Sequence, residues 1–266
     1  QRQMCIRDRA NAPFGIGIGM CGYGEIPAIT SKINDLVHDA VGKHPYTIVN
    51  DVEAAWAAGF GGADGIVIIA GTGSIAYGVC GENRLRCGGW DYELGDEGSA
   101  GWIGKEALAA FTRQADGREP RGPLYDLMRA ELGLTDDFDV IAWAQDHYAK
   151  RGDVAALSPL VSAAAEQGDT SARDIFERAA QEEALMVRTI KERIFDCAVD
   201  AEDRAAGSID AKTGASIPVT YVGGTFRAGD LILGPLAQAL PRGCRLVPPL
   251  HEPALGPVLL LRKQLS

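Results

Sequence analysis

The chain has 266 residues, 46% of them hydrophobic and 23% charged. Those are the proportions of a globular protein with one large core or two modest ones. Its formal net charge is −10, with no Lys/Arg cluster beyond the first nine residues, so nucleic acid and anionic membrane surfaces are not expected partners. No apolar run approaches spanning length.

Gln1 to Arg9 (QRQMCIRDR) is basic, but no apolar run follows it, so it does not read as a secretory signal. It reads as a non-native leader, with native sequence expected to have stood before it. Phe14 to Cys21 alternates glycine with Ile and Met and predicts a strand with one bare face. Ile26, Ile29, Ile33, Leu36, Val37 and Ala40 recur at helical spacing, with Pro27 near the first turn. Tyr46 to Val49 predicts a short buried strand, and Asp51 opens a helix through Ala58. Gly59 to Gly65 (GFGGADG) marks a boundary between lobes, giving a first lobe over 10–64 and a second over 65–266, with the final helix free to return to the first.

The second lobe starts with three strands joined by tight turns: Gly65 to Ala70, Ser74 to Cys80 and Arg84 to Cys87. Helices are expected from Ser99 to about Ala205. The longest carries Ile175, Ala179, Met186, Ile190, Ile194 and Cys197 on one core-facing stripe. A strand over Ile217 to Val222, a helix from about Asp230, a short strand and a helix from Ala254 complete a two-lobed α/β protein.

Cys5, Cys21, Cys80, Cys87, Cys197 and Cys244 form no CxxC pair, and His38, His44, His147 and His251 show no metal-ligand spacing; no metal site is assigned. The cysteines read as thiols of a reducing cytoplasm. Gly17, Gly19 and Gly22 match G-x-G-x-x-G, but Tyr23 to Pro27 intervenes before the helix starts. A dinucleotide's phosphates would then miss the helix N-terminus. The alternative is a strand whose glycines let a helix pack closely.

Gly71-Thr72-Gly73-Ser74 joins two apolar strands in a glycine-bounded turn of N–H groups suited to a phosphate; an ordinary hairpin turn is the alternative. Cys87-Gly-Gly-Trp90-Asp-Tyr-Glu-Leu-Gly95-Asp96-Glu97-Gly98-Ser99 sets an indole near carboxylates, as a sugar ring requires, although Asp96 could simply cap a helix. Asp51 could likewise be a cap, and Gly223-Gly224-Thr225 either a tight turn or a flat ligand platform.

In this order, Asn50-Asp51, GTGS at 71–74, CGGW…GDEGS at 87–99 and GG at 223–224 resemble the BadF/BadG/BcrA/BcrD-type ATPase family, within it the glucosamine and N-acetylglucosamine kinases. The similarity runs from about Asn11 to the end and includes Trp102-Ile-Gly104 and Pro253-Ala-Leu-Gly256. The resemblance implies an actin-like ATPase (ribonuclease H-like) fold with an incomplete first lobe, ATP with Mg²⁺, and phosphorylation of an amino sugar, at its 6-hydroxyl. It implies Gly71, Thr72, Gly73 and Ser74 as a phosphate loop and Gly223, Gly224 and Thr225 as an adenosine loop. Asp51 would be general base, with Thr72, Gly89, Trp90 and Asp96 lining the sugar site. A homodimer is compatible with it.

Three departures stand out. Ile75 occupies a position where a sugar-contacting asparagine is expected, and Asp91 replaces a usual glycine. Nothing before Phe14 supplies the superfold's first phosphate hairpin, so the chain by itself is expected not to turn over ATP. The rival functions are an ATPase that activates a redox enzyme and a non-catalytic sugar sensor.

Overall fold

The computed structural model describes residues 14–199 and 216–266. The leader reading of 1–9 and the start of the resemblance at Asn11 lie outside the described residues. The chain separates into two compact units. One holds the residues up to Gly62 with Leu250–Ser266; the other is Ala63–Pro249.

In the first unit β1 (Ile16–Met20) pairs in parallel with β2 (Tyr46–Asn50), Gly17 opposite Thr47 and Gly19 opposite Val49. The parallel pairing requires a crossover, which α1 (Pro27–Val41) provides. No α1 residue is buried; Ile29 and Leu36 of its apolar stripe are exposed and Ile33 and Val37 half-buried. β2 alternates instead of being buried throughout: Thr47 and Val49 face inward and their neighbours are half-exposed. α2 (Asp51–Phe60) is mostly buried, including Trp56 and Phe60.

The chain's last helix, α11 (Gly256–Leu265), follows a 3-10 turn at Pro253–Leu255 and packs on β1 and α2. Contact is close enough to need glycine: a Cβ on Gly17 would lie 2.5 Å from the Val258 nitrogen, and one on Gly256 1.9 Å from the Ala54 carbonyl oxygen. The β1 glycines therefore serve helix packing, the alternative to the dinucleotide reading.

The second unit is built on a five-stranded sheet of order β5-β4-β3-β6-β7. β3 (Gly65–Ala70), β4 (Ser74–Cys80) and β5 (Asn83–Gly88) form an antiparallel meander, while β6 (Ile217–Val222) lies parallel to β3 and β7 (Cys244–Leu246) parallel to β6. β3 is buried along nearly its whole length, as expected of a central strand covered on both faces.

Five helices cluster beyond the meander: α3 (Ala100–Ala115), α4 (Pro123–Glu131), α5 (Asp139–His147), α6 (Arg151–Ala155) and α7 (Ser158–Glu166). α8 (Thr170–Ile190) packs on α3, α7, the meander and α10 (Asp230–Ala239). The core joins sheet residues Ile66 and Ile68 to Ile103, Phe111, Leu124, Met128, Ile175, Phe176 and Ile232.

Asp169 and Gln114 are among the polar side chains buried in this unit. Asp169 caps α8 by accepting from the Ala172 N–H, accepts from the Leu124 N–H at the start of α4, and faces the Gln114 amide. One carboxylate thus serves the otherwise unpaired amides of two helix starts.

The long stripe ends earlier than its periodicity predicted. After α8 the chain makes a π-helical turn over Lys191–Phe195 and continues as α9 (Asp196–Val199). A π turn adds about one residue to the repeat, which rotates the following side chains around the axis. Ile194 and Phe195 stay buried, but Cys197 is exposed and donates to the Glu192 carbonyl.

Candidate functional site

The parallel register sets Ile69 beside Val222, so β3 and β6 release their following loops at the same edge of the sheet. Carboxyl ends of neighbouring parallel strands are the usual ligand edge of an open α/β sheet. The loops are Gly71–Gly73 and Gly223–Thr225, and they touch. Gly223 has φ 125°, and a Cβ there would stand 2.2 Å from the Ala70 carbonyl oxygen.

The first loop is fixed from α3: the Ala100 and Gly101 N–H groups donate to the Gly71 and Thr72 carbonyls at 2.8 and 3.3 Å, leaving Thr72 exposed. In the second loop Thr225 is buried, and its hydroxyl has no hydrogen-bond partner among the described residues. A buried hydroxyl without a partner is unfavourable, so it fits a site that a ligand completes.

The turn from Gly95 to Ser99 ties the first loop to the helices. Ser74 Oγ donates to the Glu97 carbonyl at 2.6 Å, and Gly98 lies against Glu183 of α8. Ser99 caps α3, its Oγ accepting from the Trp102 N–H. Asp96 therefore does not cap the helix. It is buried, with φ 59°, against Gly73, where a Cβ would lie 2.5 Å from Asp96 Oδ2. That Oδ2 has no hydrogen-bond partner among the described residues. Burial pushes the Asp96 carboxyl above its ordinary value; the Ser74 backbone N–H and Arg151 oppose the shift, and Asp91 and Glu97 add to it.

Upstream, Gly88 and Gly89 both have left-handed backbone, and Arg86 donates to the Gly89 carbonyl. They deliver Trp90 to the surface, 72% exposed, with its indole open to a partner. A Cβ on Gly89 would meet Ile75 Cδ1 at 2.8 Å, so an apolar side chain lies under the loop where the family resemblance expects asparagine.

Asp91 also has a physical account. Its φ is 75°, a conformation glycine adopts freely and other residues adopt at roughly 1–2 kcal/mol. Asp91 tolerates it because its carboxylate accepts from the Tyr92 N–H and from Arg151.

Asp51 belongs to the first unit. Asn50, not Asp51, caps α2: its Oδ1 accepts from the Val52 N–H and its amide donates to the Tyr23 carbonyl. Asp51 is the first helical residue, and its exposed carboxylate also accepts from Val52, a position that favours negative charge.

Two site neighbours were not singled out in the sequence. Glu183 is fully buried, neither oxygen has a hydrogen-bond partner among the described residues, and burial raises its carboxyl well above the usual range. Its signal was a gap: the stripe passes from Ala179 to Met186, and 183 is the helical step between them. Arg151, 3.1 Å from Asp91 and 3.7 Å from Asp96, left no signal, because only the packing of α6 brings it there.

Among the described residues no group of three or more His, Cys, Asp or Glu is arranged to hold a metal ion, and no helix is long and apolar enough to cross a membrane.

Known proteins are similar to this chain in sequence and fold. The N-acetylmuramic acid/N-acetylglucosamine kinase of Clostridium acetobutylicum is 34% identical over 163 residues, covering 61% of this chain. The chain spans about half of that relative, 53% of its length. The N-acetyl-D-glucosamine kinase of Dictyostelium discoideum is 28% identical over 268 residues, 96% of this chain and 78% of that protein. A Chromobacterium violaceum structure assigned as an N-acetylglucosamine kinase superposes with a TM-score of 0.65 at 26% identity, over 93% of this chain and 75% of that one. The fold is the actin-like ATPase fold, and the ordered glycine loops and GDEGS turn sit on it at the sheet's carboxyl edge. With the family profile matching residues 15–260, the chain belongs to the BadF/BadG/BcrA/BcrD ATPase family.

Proposed function

We propose that this protein transfers the γ-phosphoryl group of ATP to a hydroxyl of an amino sugar, glucosamine or N-acetylglucosamine, at the 6-position. The observation that carries the reading is the junction of the Gly71–Ser74 loop, the Gly223–Thr225 loop and the Asp96 turn. Gly73 and Gly223 stand where a side chain would collide, and Thr225 and Asp96 each hold a buried oxygen without a hydrogen-bond partner among the described residues. Those contacts hold the two loops and the turn together, while Gly71 and Gly224 face open space where backbone can meet a polyphosphate and a flat base, with a carboxylate and an indole beside them. The names of the two relatives support the sugar class.

In this reading Gly71 to Ser74 hold phosphate oxygens and Gly223 to Thr225 the adenosine. Trp90 stacks on the sugar ring, while Asp96, Thr72 and the Gly89 backbone hold its hydroxyls. Asp51 accepts the proton of the attacking hydroxyl as oxygen bonds to the γ-phosphorus and the bond to the β-phosphate oxygen breaks, releasing ADP. Mg²⁺ carried by the nucleotide would neutralise phosphate charge that this acidic chain does not. Cytoplasmic ATP would supply the donor.

The test uses the chain lengthened with the N-terminal segment of a relative and follows ADP release with ATP, Mg²⁺ and each of glucosamine, N-acetylglucosamine, N-acetylmuramic acid and glucose, with ³¹P NMR locating the ester. Sugar-dependent ADP release with a 6-phosphate is expected. ATP hydrolysis indifferent to sugar would instead favour an activator ATPase, and sugar binding without ADP release a sensor.

A further inference from the structure

We infer that Arg151 is a positioning residue of the candidate sugar site, clamping the Asp91–Asp96 turn so that the buried Asp96 carboxylate keeps the orientation and charge with which it takes a sugar hydroxyl. The inference rests on the phosphotransfer reading and names a residue that the reading does not use.

Three observations carry it. Among the described residues, Asp91 and Asp96 are the non-glycine residues with left-handed backbone, at φ 75° and 59°. Strain of this kind persists where the surroundings over-determine it, and it concentrates at functional sites. Both carboxylates face the same guanidinium nitrogen, Arg151 Nη1, at 3.1 Å from Asp91 Oδ1 and 3.7 Å from Asp96 Oδ2.

The two contacts differ in kind. Asp91 and Arg151 are 79% and 47% exposed, so their pair adds little to stability. What it does is aim the guanidinium. Asp96 is 4% exposed, and at 3.7 Å the arginine compensates its charge without occupying Oδ2 as a hydrogen-bond donor. That buried oxygen is left without a hydrogen-bond donor among the described residues. The other groups around Asp96 are the Asp91 and Glu97 carboxylates and the Ser74 N–H, with Glu183 against Gly98 one residue beyond Glu97.

Arg151 is itself held firmly. It opens α6, whose Val154 carbonyl oxygen comes so close to α3 that a Cβ on Gly104 would lie 2.0 Å from it. α3 in turn donates to the Gly71 and Thr72 carbonyls. The clamp is thereby built on the same helix that fixes the phosphate loop.

The test compares wild type with R151M, R151K, D91G and D96N. Residue 91 has a backbone that glycine adopts freely, so D91G removes the tether without straining the turn. In the ligand-free protein, carboxyl NMR should show the Asp96 titration midpoint rise by about one pH unit in R151M and return toward wild type in R151K. Calorimetry should show glucosamine bound about tenfold more weakly by R151M and D91G, the equivalent of one pH unit, with ADP affinity unchanged. An unmoved Asp96 midpoint, together with wild-type sugar affinity in R151M and D91G while D96N loses it, overturns the clamp. If D96N binds glucosamine as wild type does, the sugar-site assignment fails, and the Asp96 titration alone decides the hold of Arg151 on that carboxylate.

Discussion

Asn50 and Asp51 divide two tasks that one carboxylate could have carried. The sequence shows both residues at a strand end but not which one caps the helix, because Asn and Asp have nearly equal N-cap preference. With Asn50 on the Val52 N–H and the Tyr23 carbonyl, the roles become separable. Asn50→Ala should lower stability by about 1 kcal/mol, read as a drop in the denaturation midpoint. Asp51→Asn should leave the midpoint in place and, in the lengthened protein, lower turnover by ~10²–10⁴, the range of a general base. Turnover within twofold of wild type would leave Asp51 as a spectator of its helix. Trp90 makes a comparable case: at 72% exposure its loss removes almost no core. Trp90→Ala should therefore keep the melting temperature while weakening sugar binding and sparing ADP binding. Equal losses for sugar and nucleotide would put the indole elsewhere in the mechanism.

The elements themselves were legible because their periods are short-range. The GIVIIA and SIAYGVC runs, the tight turns and the helix starts are properties of neighbouring residues, and the strands and helices stand where those patterns put them. What was not legible depends on register beyond one element. Cys197 leaves the stripe because a π turn precedes it, and Arg151 reaches Asp96 only through the packing of α6 on α3. Glu183 is the intermediate case, a charged residue in a gap of an apolar stripe. It is fully buried and without a hydrogen-bond partner among the described residues, and burial raises its carboxyl well above the usual range. A carboxyl whose value is raised on folding contributes stability that is fully present below its unfolded value of about 4.3 and is lost as pH rises through the folded value. Wild type should thus lose stability as pH rises from about 4.3 toward the raised folded value, and Glu183→Gln, neutral throughout, should lose less. Parallel melting-temperature profiles for the two proteins would show that Glu183 is charged in the fold. Asp169 offers a second test: Asp169→Ala frees the starts of α4 and α8 at once and should cost about 2–4 kcal/mol, a cap plus a buried amide left unpaired.

At the scale of the molecule, the distribution of buried surface separates folding from chemistry. The connected core runs from Ile66 to Leu236 and lies wholly within Ala63–Pro249. The other unit buries mainly α2, with a two-stranded sheet and an α1 that buries nothing. Two paired strands are marginal by themselves, whereas a five-stranded sheet packed with helices has the burial that cooperative folding needs. Excised as residues 63–249, the larger unit should therefore fold alone, giving near-ultraviolet circular dichroism and one cooperative thermal transition. It also carries both glycine loops, Trp90, Asp96 and Arg151, but not Asp51. Calorimetry on the fragment should accordingly show ADP binding, weaker than in the whole chain, and no sugar phosphorylation at any enzyme concentration. A fragment that melts without cooperativity would mean that the core depends on the smaller unit. A folded fragment that fails to bind ADP would mean that the loops at the carboxyl edge of the sheet do not form a nucleotide site by themselves. Phosphorylation by the fragment would remove Asp51 from the reaction altogether.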